Sequence, residues 1–198
     1  MSLSSLCVFC GSAEGTKPDF MQSADSLGKE LIKRNIQLIY GGGNIGLMGQ
    51  IARSVNRLQG KIHSIVPLGV FTHDQIGESL GQVHYVNSMH ERKQTMNQLS
   101  DGFIALPGGV GTLEETLEMI TWNQLQINNK PLGILNVCGY FDPIKQWFDQ
   151  AAELGFLKKT FTDKSICWSD DPADLLDQMQ ARFEVIQKEK IVEPHVLP

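Results

Sequence analysis

The sequence has 198 residues, of which 17 are basic and 22 are acidic, for a formal charge of −5 at pH 7. This length suits one domain with a sizeable hydrophobic core, and we predict a single domain over residues 1–198. The acidic balance argues against a nucleic acid polymer as partner, because proteins that bind one neutralise many phosphates with lysine and arginine. A single nucleotide stays possible, since one phosphate can be bound locally.

Membrane insertion and secretion are also disfavoured by the sequence. No apolar run approaches the roughly 20 residues of a membrane-spanning helix. The first five residues have no basic segment ahead of an apolar one, so a secretory signal is not expected. The four cysteines form no convincing disulfide framework. We therefore predict a reduced, cytoplasmic protein that does not bind membranes.

Cys7 and Cys10 form a C-x-x-C pair, a pattern that can indicate a redox or zinc site. Both lie in or at the end of an apolar strand, and no helix begins at the second cysteine. No second cysteine pair or histidine pair completes a zinc site, and the five histidines are scattered. We interpret both cysteines as strand residues and predict neither a metal nor a cofactor.

Short apolar strands alternate with amphipathic helices along the chain. The predicted strands cover 6–10, 36–40, 62–66, 83–86, 102–106, 132–137 and 165–168. The predicted helices begin at or near 18, 48, 88, 112, 142 and 171. Ser88 and Glu91 have the spacing of a capping box, Asp142-Pro143 is predicted to cap the helix at 142, and Asp171-Pro172 is predicted to open the last helix. This alternation is typical of parallel strands joined by crossover helices. The predicted fold is α/β: a Rossmann-like, doubly wound, mostly parallel sheet of about seven strands with helices on both faces.

Three glycine-containing loops leave the carboxyl ends of predicted strands, at 11–12, 41–46 and 107–112. Ligands of open α/β sheets bind at this edge, where the strand order reverses. We expect all three loops to line one crevice. Residues 68–82 are glycine-rich and lack periodicity, which predicts a long loop of the kind that can cover a site.

The loop at 107–112 combines a proline and three glycines with Thr112. Glycine adopts backbone angles closed to other residues and lets a ligand approach the main chain. Thr112 and Glu115 have the spacing of a capping box, which predicts a helix that begins at Thr112. The free N–H groups of that helix end would bind a phosphate or another anion. No Lys-Ser/Thr pair follows, so a monophosphate fits better than a triphosphate.

Charged residues accompany this loop in two groups. Glu114, Glu115 and Glu118 follow the turn, and at least one of them could face another part of the ligand. Capping alone would also explain Glu115, and the other two have the spacing of ordinary helix-surface acids. Arg92 and Lys93 lie in the first turn of a helix, where positive charge is unfavourable against the helix dipole. A nearby phosphate or carboxylate would compensate, and solvated surface groups are the alternative.

The loop Gly41–Gly46 formally satisfies G-x-G-x-x-G, the dinucleotide-binding fingerprint. It follows the second strand rather than the first, and residues 61–67 lack the acidic group that would bind a ribose. A nicotinamide-dependent dehydrogenase is therefore disfavoured. The loop is either a packing turn or a contact for phosphate or ribose, and we favour the contact.

Two segments resemble motifs of the LONELY GUY (LOG) family. Residues 107–115 are similar to its PGGxGTxxE motif, and residues 89–93 are similar to its M-x-x-R-K element. Further similar segments lie at 7–12, 40–43, 46–49, 121–125, 135–137 and 139–142. The resemblance extends from the first strand to at least Gly155.

Membership of this family implies a Rossmann-like homodimer that acts as a phosphoribohydrolase. It would hydrolyse the N-glycosidic bond of cytokinin riboside 5′-monophosphates, and often of AMP, to the free base and ribose 5-phosphate. Such sequences are often labelled lysine decarboxylases, but this sequence shows no pyridoxal-phosphate lysine pattern.

The resemblance also implies roles for individual residues. Glu115 would be the carboxylate near the anomeric carbon, where an oxocarbenium-like charge develops, and Arg92 would be its catalytic partner. The implied phosphate-binding residues are Gly108, Gly109, Gly111 and Thr112. The other implied substrate-binding residues are Ser12, Gly42, Gly43, Met89 and Lys93.

Base preference is the open part of this assignment. The loop at 68–82 has Thr72-His73-Asp74 and Glu78 in place of the family's Glu-x-x-His pattern. One alternative is a general nucleoside-monophosphate nucleosidase of nucleotide salvage, with different pocket walls. Another is a nucleotide-binding or sensor protein without turnover. The presence of both Arg92 and Glu115 counts against the second, because a pure binder needs no carboxylate at the sugar.

Overall fold

A parallel β-sheet is the central layer of the structure, a computed structural model that describes residues 2–70, 77–158, 161 and 164–192. The strands are β1 (Ser5–Phe9), β2 (Gln37–Tyr40), β3 (Ile62–Pro67), β4 (Gln82–Val86), β5 (Gly102–Ala105), β6 (Leu132–Leu135) and β7 (Ile166–Ser169). Their order across the sheet is β4-β3-β2-β1-β5-β6-β7, and every neighbouring pair is parallel. The predicted α/β class and the number of strands are confirmed.

Helices cover both faces of the sheet. The helices are α1 (Pro18–Lys33), α2 (Gly46–Arg57), α3 (Met89–Leu99), α4 (Val110–Gln124), α5 (Asp142–Glu153) and α6 (Pro172–Val192). Alternate strand residues such as Leu6 and Val8 pack against α1, α2 and α6 in one hydrophobic core. Their neighbours Cys7 and Phe9 pack against α3, α4 and α5 in the other. Period-two burial along short strands therefore produces the doubly wound arrangement.

The two cysteines of the C-x-x-C pair face opposite sides of the sheet. Cys7 belongs to the core under α3–α5, and Cys10 belongs to the core under α1 and α2. Burial, followed by the nearby Glu115 carboxylate, raises the pKa of both thiols well above the usual value. Cys7 lies within β1 and Cys10 directly follows it, each packed in the core on its own side of the sheet, so the interpretation as strand residues is confirmed.

Several element ends differ from the predicted ones for local reasons. Strand β6 stops at Leu135 because a 3₁₀ turn follows at Val137–Gly139, with Cys138 in the left-handed region at φ 55°. Helix α5 has Phe141 as its N-cap, so the prediction that Asp142 caps it was wrong. The Asp142 carboxylate instead accepts a hydrogen bond from Asn136 Nδ2 at 2.7 Å. None of the helices in the described ranges combines the length and apolarity needed to cross a bilayer.

The reversal of strand order lies between β1 and β5, and three loops meet there. Gly11 N–H donates to Pro107 O at 3.0 Å, which joins the loops after β1 and β5. Leu47 N–H and Met48 N–H donate to Gly11 O at 3.1 and 3.2 Å, which joins the loop after β2. Gly46 has φ 56°, and a Cβ there would lie 2.3 Å from the carbonyl carbon of Ser12. The predicted convergence of the three loops is confirmed.

Candidate active site

The site begins with the N-terminal turn of α3. Ser88 Oγ accepts a hydrogen bond from Glu91 N–H at 3.1 Å, so the predicted cap forms. The return bond differs from a standard capping box, because the Glu91 carboxylate accepts from Asn87 N–H at 2.7 Å rather than from Ser88. With this turn fixed, Arg92 points into the protein.

Arg92 and Glu115 form a buried ion pair between α3 and α4. Arg92 Nη1 donates a hydrogen bond to Glu115 Oε1, and Arg92 Nε donates to Ile65 O at 3.3 Å. Only 7% of Arg92 and 8% of Glu115 is exposed. Removing two charges from water costs more than such a pair usually returns in stability. A pair of this kind at a strand-end crevice indicates a functional site.

The charge of Glu115 depends on two opposing effects. Burial raises the pKa of its carboxyl group, and the Arg92 guanidinium lowers it through charge and hydrogen bonding. The net result is a pKa above the usual glutamate value. Arg92 thus favours the ionised form of a carboxylate that burial alone would drive towards protonation.

Gly41 makes room for this arginine, and sequence reasoning assigned it no such role. A Cβ at position 41 would lie 2.1 Å from Arg92 Nη2. Any side chain there would therefore displace the guanidinium from its place over the strand ends. The run of three glycines at 41–43 was the only sequence signal for this role. A local pattern does not show which of the three glycines must lack a side chain to admit a residue distant in the sequence.

Lys93, implied by the family resemblance to bind substrate, is bound to two glutamates of α4. Its Nζ donates to Glu114 Oε1 at 2.5 Å and lies 2.9 Å from Glu118 Oε2. Burial lowers the pKa of Lys93, but the two glutamates outweigh burial and raise it above the usual value. The ammonium therefore links α3 to α4 beside the Arg92–Glu115 pair.

Helix α4 begins at Val110 with Gly109 as N-cap, two residues before the predicted start. The predicted capping box does not form, because Glu115 binds Arg92 and Thr112 lies buried in the first turn. A charged partner outcompetes a backbone N–H for the carboxylate. Leu113 N–H donates to Gly109 O at 3.2 Å as the first bond of the helix. The N–H groups from 109 to 112 precede it and are available to an anion.

The glycines of this turn are of two kinds. A Cβ on Gly108 would lie 2.1 Å from Thr112 Oγ1 and 2.7 Å from Gly11 N, so packing excludes a side chain there. A Cβ on Gly109 or Gly111 would meet no protein atom within 4 Å. The space over these two exposed residues is therefore open, as a phosphate site requires.

The loop at 41–46 is held mainly by packing. Gly42 has φ 81°, its carbonyl accepts from Ser79 Oγ at 2.9 Å, and a Cβ would lie 2.5 Å from Val66 Cγ2. A Cβ on Gly43 would lie 3.0 Å from the Met48 methyl group. Because Gly11 O occupies the N–H groups of residues 47 and 48, the predicted phosphate contact of this loop lacks those donors.

Two further predicted residues lie around the crevice. Ser12 lines a cavity of about 300 Å³ between the loop after β1 and the glycine turn, with Phe20 and Tyr140 among the other walls. Met89 is the first residue of α3 and is half-buried. Thr72-His73-Asp74 lie outside the described residues. Within those residues, no group of three or more His, Cys, Asp or Glu side chains is placed to hold a metal ion.

Fold and site together define a Rossmann-like α/β protein in which an open helix N-terminus, the cradle formed by the N–H groups of residues 109–112, lies beside a buried charged pair. A family model described as "Possible lysine decarboxylase" matches residues 48–179. The cytokinin riboside 5′-monophosphate phosphoribohydrolase LOG3 of Arabidopsis thaliana is 48% identical over 155 residues, which cover 78% of this chain and 72% of the relative. The chain belongs to this phosphoribohydrolase family.

Two relatives from Oryza sativa subsp. japonica are similar in the same way. The probable phosphoribohydrolase LOGL2 is 43% identical over 187 residues, which cover 94% of this chain and 75% of the relative. The probable phosphoribohydrolase LOGL5 is 51% identical over 152 residues, or 77% of this chain. The match spans 62% of the length of LOGL5, slightly less than two thirds.

Solved structures support the fold. The Moco carrier protein from Chlamydomonas reinhardtii matches with a TM-score of 0.67 and 16% identity, over 92% of this chain and 98% of that one. The molybdenum cofactor binding protein from Rippkaea orientalis matches with a TM-score of 0.64 and 20% identity, over 98% and 99% of the two chains. At these identities the likeness concerns the fold alone.

Proposed function

We propose that this protein hydrolyses the N-glycosidic bond of adenosine 5′-monophosphates, with or without an N6 substituent. The products are the free base and ribose 5-phosphate. The observation that carries the proposal is the buried Arg92–Glu115 pair beside the open N-terminus of α4. The names of the relatives support the same substrate class.

The phosphate group would bind at the cradle. The N–H groups from Gly109 to Thr112 would donate to its oxygens, and the helix dipole adds a favourable field for the negative charge. Gly108 keeps the turn tight against Thr112, and the open space over Gly109 and Gly111 receives the phosphate. Anchoring the phosphate fixes the ribose relative to α4, and Glu115 lies one turn further along that helix.

The charged pair supplies the chemistry. When the bond between C1′ and the base nitrogen breaks, positive charge develops on the sugar, and an ionised Glu115 stabilises it. Water provides the oxygen that bonds to C1′; one of its protons goes to the departing base nitrogen, and the other stays on the new C1′ hydroxyl group. Arg92 keeps Glu115 ionised and oriented until the charge forms.

We also propose that the chain forms a homodimer and works in the cytoplasm. Large apolar side chains are exposed on the face covered by α4 and α5, among them Leu125, Ile127, Trp147, Leu154 and Phe156. An exposed group of this kind is typical of an interaction surface. The described cysteines are all unpaired, as expected in a reducing compartment.

Base release from AMP and from isopentenyladenosine 5′-monophosphate tests the reaction. We expect the wild-type protein to cleave both nucleotides and neither matching nucleoside, and the Glu115→Gln variant to be at least 100-fold slower. The comparison of the two bases measures the base preference of the protein. AMP binding without base release from any purine or pyrimidine monophosphate would refute the hydrolase proposal.

A further inference from the structure

Tyr140 lies in the turn after β6 and contacts the main chain at the start of the cradle. Its hydroxyl donates a hydrogen bond to the carbonyl oxygen of Gly108, 32 residues earlier in the chain. Gly108 immediately precedes the N-cap of α4. Tyr140 therefore binds the main chain at the point where the cradle begins.

The turn that carries Tyr140 is rigidly held. Cys138 and Gly139 take left-handed angles, φ 55° and 69°, which reverse the chain after β6. The Asn136 side chain fixes the reversal, because its Oδ1 accepts from Phe141 N–H at 2.7 Å and its Nδ2 donates to Asp142 Oδ1 at 2.7 Å. The backbone on both sides of Tyr140 is thus fixed by paired hydrogen bonds.

The ring of Tyr140 is also held by aromatic contacts. Phe141, only 1% exposed, meets it edge-on with ring centroids 5.0 Å apart. Phe20 of α1 meets it edge-on at 6.0 Å. Edge-to-face pairs at these distances are favourable. These two contacts direct the hydroxyl group of Tyr140 towards Gly108.

The hydrogen bond has a consequence for the next amide. A trans peptide group is planar, so its C=O and N–H point in opposite directions. Tyr140 holds the C=O of Gly108, and the N–H of Gly109 must then point away from Tyr140. Among the residues the structure describes, no acceptor binds that N–H. A peptide between two glycines has few steric barriers to rotation, so an external bond is needed to fix its plane.

We propose that Tyr140 is a positioning residue for phosphate recognition. By holding Gly108 O, it directs the Gly109 N–H into the cradle as a fourth donor beside those of Val110, Gly111 and Thr112. The inference rests on the proposed function in one respect, that the ligand is a nucleoside monophosphate.

The test compares ligands with and without a phosphate in the Glu115→Gln background, where AMP should be hydrolysed at least about 100-fold more slowly than by the wild-type protein. Isothermal titration of AMP and adenosine is performed with and without Tyr140→Phe. This variant removes only the hydroxyl group and keeps the aromatic contacts. We expect AMP affinity to fall about fivefold to tenfold, as for the loss of one to two hydrogen bonds, with adenosine affinity unchanged. Tyr85→Phe, whose ring on β4 is 66% exposed, is the matched control and should change neither affinity.

Steady-state kinetics of the otherwise wild-type protein give a second readout. Tyr140→Phe should raise KM for AMP by the same factor and leave kcat within about twofold, since a positioning role in binding does not alter the charged pair. Unchanged AMP affinity would overturn the inference, and so would an equal loss for AMP and adenosine. If the wild-type protein binds AMP but releases no base, the hydrolase proposal is refuted. The titrations still test the role of Tyr140 in that case, because they measure binding and not turnover.

Discussion

At the scale of single residues, the site depends on how protein contacts set the ionisation of Glu115. Burial raises its pKa, Arg92 lowers it, and Glu114 raises it again by charge repulsion. In the proposed reaction, the carboxylate must be ionised to stabilise an oxocarbenium-like state. Activity should therefore fall as the pH drops through a pKa above the usual glutamate value.

Glu114→Gln tests this electrostatic balance without altering Arg92 or Glu115. Removing the neighbouring negative charge should lower the pKa of Glu115 and move the acid limb of kcat/KM to lower pH. Glu118→Gln is the control, because Glu118 also pairs with Lys93 but has no resolved effect on Glu115. A shift of equal size in both variants, or a shift to higher pH, would contradict the assignment of the limb to Glu115.

The two kinds of glycine in the turn make opposite predictions. Gly111→Ala places a methyl group in open space within a helix, where alanine is favoured over glycine by up to about 1 kcal/mol. The unfolding midpoint should stay or rise, while KM for AMP rises at least about tenfold because the methyl group takes phosphate space.

Gly108→Ala should instead destabilise the fold by more than about 2 kcal/mol through its clash with Thr112. Thermal unfolding and KM for AMP, measured for both variants, distinguish a packing role from a phosphate-binding role. An unchanged KM in Gly111→Ala would show that Gly111 does not contact the phosphate.

At the scale of elements, Lys93 joins α3 to α4. If it is a structural link, Lys93→Met should leave half-buried Glu118 without its cation and destabilise the protein by about 1–3 kcal/mol in urea unfolding. Lys29→Met is the control, because the Lys29–Asp25 pair has a lysine with 62% side-chain exposure and should contribute less than about 1 kcal/mol. A raised KM with unchanged stability would favour the direct substrate contact that the family resemblance implies.

The edge of the sheet is also pH-sensitive. His63 of β3 lies with its Nδ1 3.0 Å from Nε2 of His84 on β4, and its other ring nitrogen lies 3.2 Å from Gln37 Oε1. Burial, then His84 and Lys61, lower the pKa of His63. A lowered histidine pKa stabilises the fold fully above the unfolded value, near 6.5, and this contribution is lost as the pH falls through the folded value.

The corresponding measurement is urea unfolding at pH 7.5 and pH 5.5. The wild-type protein should lose more stability on acidification than His63→Gln, since the variant has no imidazole to protonate. His90→Gln, at an exposed position on α3, should behave as the wild type. If wild type and His63→Gln lose the same stability, the edge pair does not contribute.

At the scale of the whole molecule, the apolar side chains on the α4–α5 face predict a dimer. Sedimentation velocity should give twice the 22.0 kDa mass of the chain. The double variant Leu125→Lys/Ile127→Lys should shift the protein towards the monomer, because two lysines would have to be desolvated in an apolar interface. Leu58→Lys, 47% exposed at the end of α2 on the other face, should remain dimeric. A monomeric wild-type protein would refute the proposal.

Local signals in the sequence predicted most of the fold. Strands β1, β2, β3 and β5 are short apolar runs, and their burial follows from period-two packing under helices on both faces. The cap at Ser88 forms as expected. Asp171, which was predicted to open the last helix, also caps α6, because its Oδ1 accepts from Asp174 N–H at 2.8 Å. The predicted start of α4 was two residues too late. The capping pattern considers only neighbouring residues, and it did not show that Glu115 binds Arg92, a residue distant in the sequence.

The sequence alone determined the class of fold, the convergence of three strand-end loops, and the residues that the motifs single out. These properties depend on spacing and composition within one segment at a time. The tertiary structure decided which charges pair, which glycine admits Arg92, and how Tyr140 reaches Gly108. In the site, such contacts join residues at least 21 positions apart, and their geometry exists only once strand order and helix packing bring the segments together.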